Sequence, residues 1–244
     1  MKIGIIIPSF NEENSLPDLI REIEAQNTGA DICVVDDSPR DAGVLAAKAL
    51  GFKNLTVIRR GVKGGRGSAI LEGIRHFLKS PYDIILEMDA DFSHPPSQLA
   101  GLIRESREGE IDLLIASRYL KGSAIRNWPL LRRVFSRAAN ILAGFLLGVP
   151  VKDYTNGFRV YSRRAAEVVA ATCGNSGKGF IMLSEILVNL YYRNYRVAEV
   201  PTVFTNRARG ESSVDCREIL GAFSGLLKVW GFKRRIKKAA PRGL

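Results

Sequence analysis

The chain has 244 residues, 46% of them hydrophobic, enough to bury one large core, and single α/β domains reach this size. Lys and Arg outnumber Asp and Glu by 36 to 25, a formal charge of +11, so an anionic partner is expected: nucleic acid, anionic lipid or a phosphorylated ligand. Three widely spaced cysteines speak against a disulfide framework or a Cys-type zinc site, the start Met1-Lys2-Ile3 lacks the pattern of a signal peptide, and the longest apolar helical stretch, Ile141 to Val149, is far below the roughly 20 residues of a membrane span.

In chain order, Ile3 to Ile7 reads as a strand. Leu16, Leu19, Ile20 and Ile23 follow at helical spacing behind the polar cluster Asn11 to Ser15, which can supply an N-cap. Ile32 to Val35 is a second strand, in which Cys33 acts as a small hydrophobe. Leu55 to Ile58 is a third, leading through Gly61 to Gly67 into a helix with Ile70, Leu71, Ile74, Phe77 and Leu78 on its apolar face. Strands at Ile84 to Leu86 and Leu113 to Ala116 come next, then a long helix from Leu130 to Leu147, a turn at Asp153 to Gly157, a helix from Leu183 to Tyr192 and a strand-like run from Val197 to Phe204. Alternation of strands and helices predicts an α/β fold with a mostly parallel central sheet flanked by helices. We read residues 1–225 as one domain and 226–244 as a basic amphipathic tail.

Polar groups gather where the strands end: Ser9 to Glu12, Asp36 with Asp37, and Asp89 with Asp91. Open α/β sheets bind ligands outside the carboxyl ends of their strands, so these groups are expected to share a crevice. In Asp89-Ala90-Asp91, alternation aims both carboxylates from one face of an extended segment, which suits Mg²⁺ or Mn²⁺ carrying a diphosphate. The alternative is turn chemistry, with Asp91 capping the next helix. Acidic groups at several strand ends would repel unless something positive bound there, which favours the metal. His94, between Ser93 and two prolines, is read as a turn residue outside the metal set.

The run Gly61-Val62-Lys63-Gly64-Gly65-Arg66-Gly67-Ser68 lacks the P-loop order, so kinase or ATPase chemistry is disfavoured. It remains either a donor-side loop or a tight strand-to-helix turn.

The segments Pro8-Ser9-Phe10-Asn11-Glu12-Glu13-Asn14, Val35-Asp36-Asp37-Ser38-Pro39 and Met88-Asp89-Ala90-Asp91-Phe92-Ser93-His94-Pro95 resemble glycosyltransferase family 2, and within it the dolichyl-phosphate mannose synthases and related polyprenyl-phosphate glycosyltransferases. So do Ser117-Arg118-Tyr119, Ser136-Arg137-Ala138-Ala139-Asn140, Thr155-Asn156-Gly157-Phe158-Arg159-Val160-Tyr161 and Val200-Pro201-Thr202-Val203-Phe204, leading to Arg209-Gly210-Glu211-Ser212. The resemblance implies a GT-A type domain with a helical membrane-facing portion and inverting transfer of mannose from GDP-mannose to dolichyl phosphate. The alternative is a UDP-sugar donor or a non-lipid acceptor. It also implies that Pro8, Phe10, Glu12 and Asp37 line a nucleoside pocket, that Asp89, Ala90 and Asp91 meet the donor, and that Asp89 and Asp91 bind the metal. From the residues alone, Pro8 would be a strand terminator and Phe10 a core aromatic. The chain departs from the family at Phe10, where Tyr is usual, after Asp37, where a Gly is missing, and at Ser213, where a Lys commonly meets substrate phosphate; Arg207 or Arg209 is the expected substitute.

A lipid monophosphate is already anionic near neutral pH, so its site needs positive charge more than a general base. Arg118, Arg132, Arg133, Arg137, Arg207 and Arg209 are available, against the alternative of a solvated surface. Arg118, after a strand end, is the first candidate and is grouped with Asp89 and Asp91 as catalytic; Arg132 or Arg133 is next, because the family places an Arg before Ser-Arg-x-x-Asn. Val134 to Val149 reads equally as an interfacial or a buried helix. Leu226 to Lys238 combines aliphatic residues, Trp230, Phe232 and clustered cations, a pattern for an anionic membrane surface or a solubilising tail. The expected partners are a nucleotide-sugar donor, a polyprenyl phosphate acceptor, the cytoplasmic face of a membrane and a separate membrane-anchoring subunit. Nucleic acid is not expected, because the strongest motifs are acidic and the basic residues alternate with aliphatic ones.

Overall fold

The computed structural model describes residues 1–175, 179, 181–206 and 216–239, with side chains described throughout except for 216–224 and 237–239. The chain opens with β1 (Ile3–Ser9), α1 (Leu16–Ala25), β2 (Asp31–Asp36), α2 (Ala42–Lys48), β3 (Leu55–Arg59), α3 (Arg66–Leu78) and β4 (Ile84–Glu87). A 3₁₀ turn at Pro96–Gln98 precedes α4 (Leu99–Glu108), β5 (Leu113–Ser117), β6 (Ala124–Arg126) and α5 (Leu130–Leu147). Then come β7 (Arg159–Ser162), α6 (Arg163–Thr172), α7 (Ile181–Tyr191), β8 (Val197–Pro201), β9 (Val203–Thr205) and α8 (Cys216–Ala239).

Seven strands form one sheet in the order β3-β2-β1-β4-β7-β5-β8. All neighbours are parallel except β7, which runs antiparallel to both β4 and β5. Alternation sends Ile6, Cys33, Val35, Ile85, Leu113, Ile115 and Tyr161 to a core shared with α3, α6 and α7. Ile5, Ile7, Ile32, Val34, Leu86, Leu114 and Val160 face the core on the opposite side, shared with α1 and α4. Burial on both faces explains why these strands read as continuous apolar runs.

The reversed strand β7 was not anticipated. It is four residues long, too short to show a period, yet its register sets Arg159 against Glu87 at the carboxyl end of β4. The turn before it, 153–158, is thereby delivered to the end of the sheet where the acidic groups lie. The run expected as one strand to Phe204 divides at Thr202, whose N–H donates to Ser117 O, and β9 pairs with β6 instead.

Ser15 occupies the N-cap of α1 without capping it: its Oγ donates to Glu12 Oε2 at 2.7 Å. α5 buries only Asn140, Ala143 and Leu147. Leu131, Val134, Phe135, Ile141 and Phe145 are exposed, Phe145 by 84%, so the buried-helix alternative is replaced by a helix resting on the domain by one narrow stripe. The division drawn between 225 and 226 falls inside α8, whose Leu226, Val229 and Ile236 belong to the core packed under α5, α6 and α7. Among the described residues, no helix is long and apolar enough to cross a membrane.

Candidate active site

β4 ends at Glu87, which is fully buried, and the chain turns through Met88 to Asp89. The Asp89 N–H donates to His94 Nδ1 at 3.1 Å, so that nitrogen carries a lone pair and Nε2 carries the proton, which faces Asn156 Oδ1 at 3.0 Å. His94 is fully buried and stacked on Phe158 with centroids 4.9 Å apart. Burial outweighs the pull of Asp89 and Asp91 and lowers its pKa, favouring the neutral ring. His94 is therefore a core residue that shapes the Asp89 turn, rather than a surface turn residue, and both its ring nitrogens are engaged. Phe92 takes a left-handed φ of 60° in the same turn, an uncommon conformation for a bulky residue. Asp91 Oδ1 accepts from the Ser93 N–H at 3.1 Å, a local turn contact in place of the helix cap considered above.

Arg66, in the first turn of α3, reaches into this turn. Its Nε donates to Asp89 Oδ1 at 2.7 Å, Nη1 to Glu87 Oε2 at 3.2 Å and Nη2 to Gly157 O at 3.0 Å. Tyr161 OH donates to the other Glu87 oxygen at 2.7 Å. Burial opposes the charge on Arg66, but the Asp89 and Glu87 carboxylates more than offset it and push its pKa above the ordinary arginine value.

A parallel arrangement holds Asp37. Arg60 Nε and Nη2 donate to its two oxygens at 2.5 and 2.7 Å, and the Gly64 and Gly65 N–H groups donate to Oδ2 at 2.8 and 3.1 Å. Asp37 thus fastens the glycine-rich loop to the end of β2. Asp36 is buried and held by Ser38. Arg60 and Arg66 therefore relieve in large part the repulsion among the acidic groups at the strand ends, so their proximity does not by itself demand a bound cation. Phe10 is 37% exposed with Lys63 Nζ 4.7 Å above its ring, so it is a surface aromatic at the rim and not part of the core. Pro8 lies within β1 opposite Val35, half-buried, and does not terminate the strand. Glu12 is half-buried, and Ala90 packs in the core.

The donor set at Asp89 and Asp91 consists of hard carboxylate oxygens. Among the described residues, no group of three or more His, Cys, Asp and Glu side chains is clustered to hold a metal. A divalent ion would thus depend on these two aspartates, with diphosphate and water completing its shell, which is how Mg²⁺ is commonly held. Ser93 Oγ, buried two residues beyond Asp91 without a hydrogen-bond partner, leaves further oxygen capacity in this turn. The residues fit such an ion.

On the other side of the 153–158 turn, Arg118 Nε and Nη2 donate to Asp153 at 2.8 and 2.7 Å, and Nη2 also donates to Thr155 Oγ1 at 2.7 Å. Its side chain is 6% exposed and surrounded by the rings of Tyr119, Trp128 and Phe204. Arg118, the first phosphate candidate, is thus already engaged by Asp153 and Thr155 and braces the turn. Arg132 lies 4.4 Å from the Trp128 ring centroid and donates to Asn206 Oδ1 at 2.9 Å. Arg133 and Arg137 are exposed on α5. Tyr119 OH donates to Ser136 Oγ at 2.6 Å, and Asn140 accepts from Tyr154 N at 2.7 Å, tying α5 to the site. Arg207, Arg209 and Ser213 lie outside the described residues.

Sequence reasoning missed Glu87, Arg60, Arg66, Asp153, Asn156 and Trp128 as parts of this site. Arg66 stood in a basic glycine-rich run and Asp153 and Asn156 in a recognised turn, which were usable signals. Glu87 lay inside a strand and offered none.

The sequence pattern described as Glycosyl transferase family 2 matches residues 4–169. The chain belongs to this family. This glycosyltransferase is 36% identical to a protein named polyprenol monophosphomannose synthase from Mycolicibacterium smegmatis over 238 residues, 96% of this chain and 89% of that one. It is 35% identical to dolichol-phosphate mannosyltransferase of Pyrococcus furiosus over 252 residues, covering all of this chain and 69% of the relative. In fold it is similar to the crystal structure of glucosyl-3-phosphoglycerate synthase from Mycobacterium tuberculosis in complex with Mn²⁺, uridine diphosphate and phosphoglyceric acid. There the TM-score is 0.69 at 21% identity, with 94% of this chain and 78% of that chain covered. The phosphoglyceric acid complex of that synthase gives a TM-score of 0.70 at 22% identity, covering 94% of this chain and 80% of that one. The mostly parallel α/β architecture is thus of the GT-A type.

Proposed function

We propose that this glycosyltransferase moves mannose from GDP-mannose to dolichyl or another polyprenyl phosphate at a membrane surface, with inversion at the sugar. Similarity over nearly the whole of this chain to two proteins named for such mannosyl transfer supports the reading. The observation in this molecule that carries it is the juxtaposition on α5: an exposed face of Leu131, Phe135, Ile141 and Phe145 on the helix whose first turn supplies Arg132 to the site. An apolar, lipid-facing surface next to a fixed cation suits an acceptor with a hydrocarbon tail and a phosphate head.

In this reading an acceptor phosphate oxygen attacks the anomeric carbon while the bond from that carbon to the donor's β-phosphate oxygen breaks, and GDP leaves with the electron pair. Asp89 and Asp91 would hold Mg²⁺ or Mn²⁺, which when bound would supply charge stabilisation for the departing diphosphate. Asp37 and Arg60 hold the glycine-rich loop in place for the donor, and Phe10 with Pro8 and Glu12 offers a rim for the nucleoside. Arg132 orients the acceptor phosphate, with Arg133, Arg207 and Arg209 as further cations. No proton needs removing from an ionised phosphate, consistent with a site that holds its one histidine buried and neutral. We place the enzyme peripherally at the cytoplasmic face, with Lys228, Arg234 and Arg235 of α8 toward anionic headgroups and a separate anchoring subunit as partner.

The test is a radiolabelled transfer assay with GDP-mannose, UDP-glucose and UDP-N-acetylglucosamine, polyprenyl phosphate, and Mg²⁺ or Mn²⁺. Label should reach lipid from GDP-mannose and depend on the ion. Transfer from a UDP-sugar alone, or only to water-soluble acceptors, would replace the reading.

A further inference from the structure

Gly157 donates nothing to chemistry, yet its lack of a side chain has a specific geometric consequence. A Cβ built there would lie 1.9 Å from Arg66 Nη2 and 2.5 Å from its Cζ. The guanidinium of Arg66 therefore occupies the space that any larger residue at 157 would fill. From there it spans three elements: Glu87 at the end of β4, Asp89 in the following turn and Gly157 O in the turn that carries Asp153. Its side chain is only 11% exposed. Such a group is a fixed strut, not a mobile surface cation.

We infer that Arg66 is a positioning residue that sets the orientation of the Asp89 carboxylate for the metal-bound diphosphate, and that position 157 must be glycine to admit it. With Oδ1 held by Arg66, the Asp89 carboxylate cannot rotate freely about its χ angles, and the orientation it presents to an ion is predetermined. Groups that hydrogen-bond a metal-ligating carboxylate act on affinity through this orientation. The same strut joins the donor side to the acceptor side, because Arg118 is bound to Asp153 in the turn that Gly157 closes. The inference rests on reading Asp89 and Asp91 as the ligands.

The test measures Mn²⁺ binding in the presence of GDP by the electron paramagnetic resonance signal of free Mn²⁺, on the full chain, with thermal melting recorded in parallel. Arg66→Met should weaken Mn²⁺ binding by about 10- to 100-fold, the range for loss of an outer-shell partner. Gly157→Ala, which touches no ligand, should weaken it comparably by expelling the guanidinium. The double variant Arg66→Met/Gly157→Ala should bind no worse than the worse single variant, since both act through one strut, and should melt no lower than Gly157→Ala because the shorter side chain removes the clash. Arg66→Met/Glu87→Gln serves where the single Arg66 variant melts low from an uncompensated buried carboxylate, and should show the same binding loss. Unchanged Mn²⁺ affinity in a folded Arg66 variant, or additive losses in the double variant, would overturn the inference. Asp91→Ala separates the two readings: if it binds Mn²⁺ with GDP as well as the parent, the ligand assignment itself fails and the inference with it.

Discussion

Asp153 receives Arg118 through both of its carboxylate oxygens, at 2.8 and 2.7 Å, and also accepts the Arg118 backbone N–H at 3.0 Å. Asp153 is fully buried, and Arg118 nearly so. Burial alone would raise the Asp153 pKa, but the charge and hydrogen bonds of Arg118 more than offset it and hold it below the ordinary aspartate value. Removing one partner leaves the other charged and desolvated. Asp153→Asn or Arg118→Met is expected to destabilise the protein by about 3–5 kcal/mol, read as a lower denaturation midpoint in urea. A paired Arg118→Met/Asp153→Leu variant should regain part of that loss.

The same pair sets an acid limit. Because the folded pKa of Asp153 is depressed, its contribution is fully present above the unfolded value and is lost as pH falls through about 4 and below, toward the folded pKa. Melting temperature measured from pH 7 down to pH 3 should fall in that window. The Arg118→Met/Asp153→Leu variant should fall less steeply there, and an identical slope would assign the acid sensitivity to other carboxylates.

Asp89→Ala or Asp91→Ala is expected to reduce metal-dependent sugar transfer by at least about 100-fold, the scale on which loss of a charge-stabilising group acts on a developing anion. The assay is initial rate at saturating Mn²⁺ and donor. Full activity in either variant would move the metal elsewhere.

Arg132 is held over Trp128, so Trp128→Leu should act on the acceptor and not on the donor. We expect KM for polyprenyl phosphate to rise by about tenfold, the worth of a desolvated cation–π contact with its orientation, while KM for GDP-mannose stays within twofold or so. Equal changes in both constants would mean that Trp128 supports the fold and nothing more specific.

Phe135 and Phe145 are 62% and 84% exposed, so their replacement leaves the core untouched. Phe135→Glu/Phe145→Glu should leave the melting temperature nearly unchanged. It should lower binding to anionic vesicles by tenfold or more, since each large apolar side chain transferred to an apolar phase contributes roughly 1.5–3 kcal/mol. Co-sedimentation with vesicles of phosphatidylserine and phosphatidylcholine reads this directly. Replacing Arg234 and Arg235 by Gln should weaken the same binding by about 1 kcal/mol per charge and only at low salt.

The central parallel strands β1, β2, β4 and β5 were legible because they are buried on both faces. Burial on two sides demands uninterrupted Ile, Val and Leu, and such runs are visible without a partner. β7 was not visible as a strand for the opposite reason: at four residues, with Arg159 and Ser162 at its ends, it carries no period of its own and exists only because β4 and β5 lie on either side. α5 could be bounded from sequence, from Leu130 to Leu147, but its orientation could not. The same apolar residues suit a core or a lipid surface, and only the position of the rest of the domain decides which is left uncovered.

The sequence by itself determined the α/β class, the gathering of acidic groups at strand ends and the family, since these follow from local patterning and from motifs in a fixed order along the chain. The tertiary structure alone decided which charge answers which. Asp37 takes Arg60, Glu87 and Asp89 share Arg66, and Asp153 takes Arg118, at sequence separations of 23, 21, 23 and 35 respectively. Pairing across such separations depends on where the fold places side chains of one sign among several of the other, and no local rule selects among them. That is why the engagement of Arg118, the first phosphate candidate from sequence, with Asp153 could not be foreseen, and why Arg66, left unassigned in a glycine-rich loop, stands at the centre of the acidic turn.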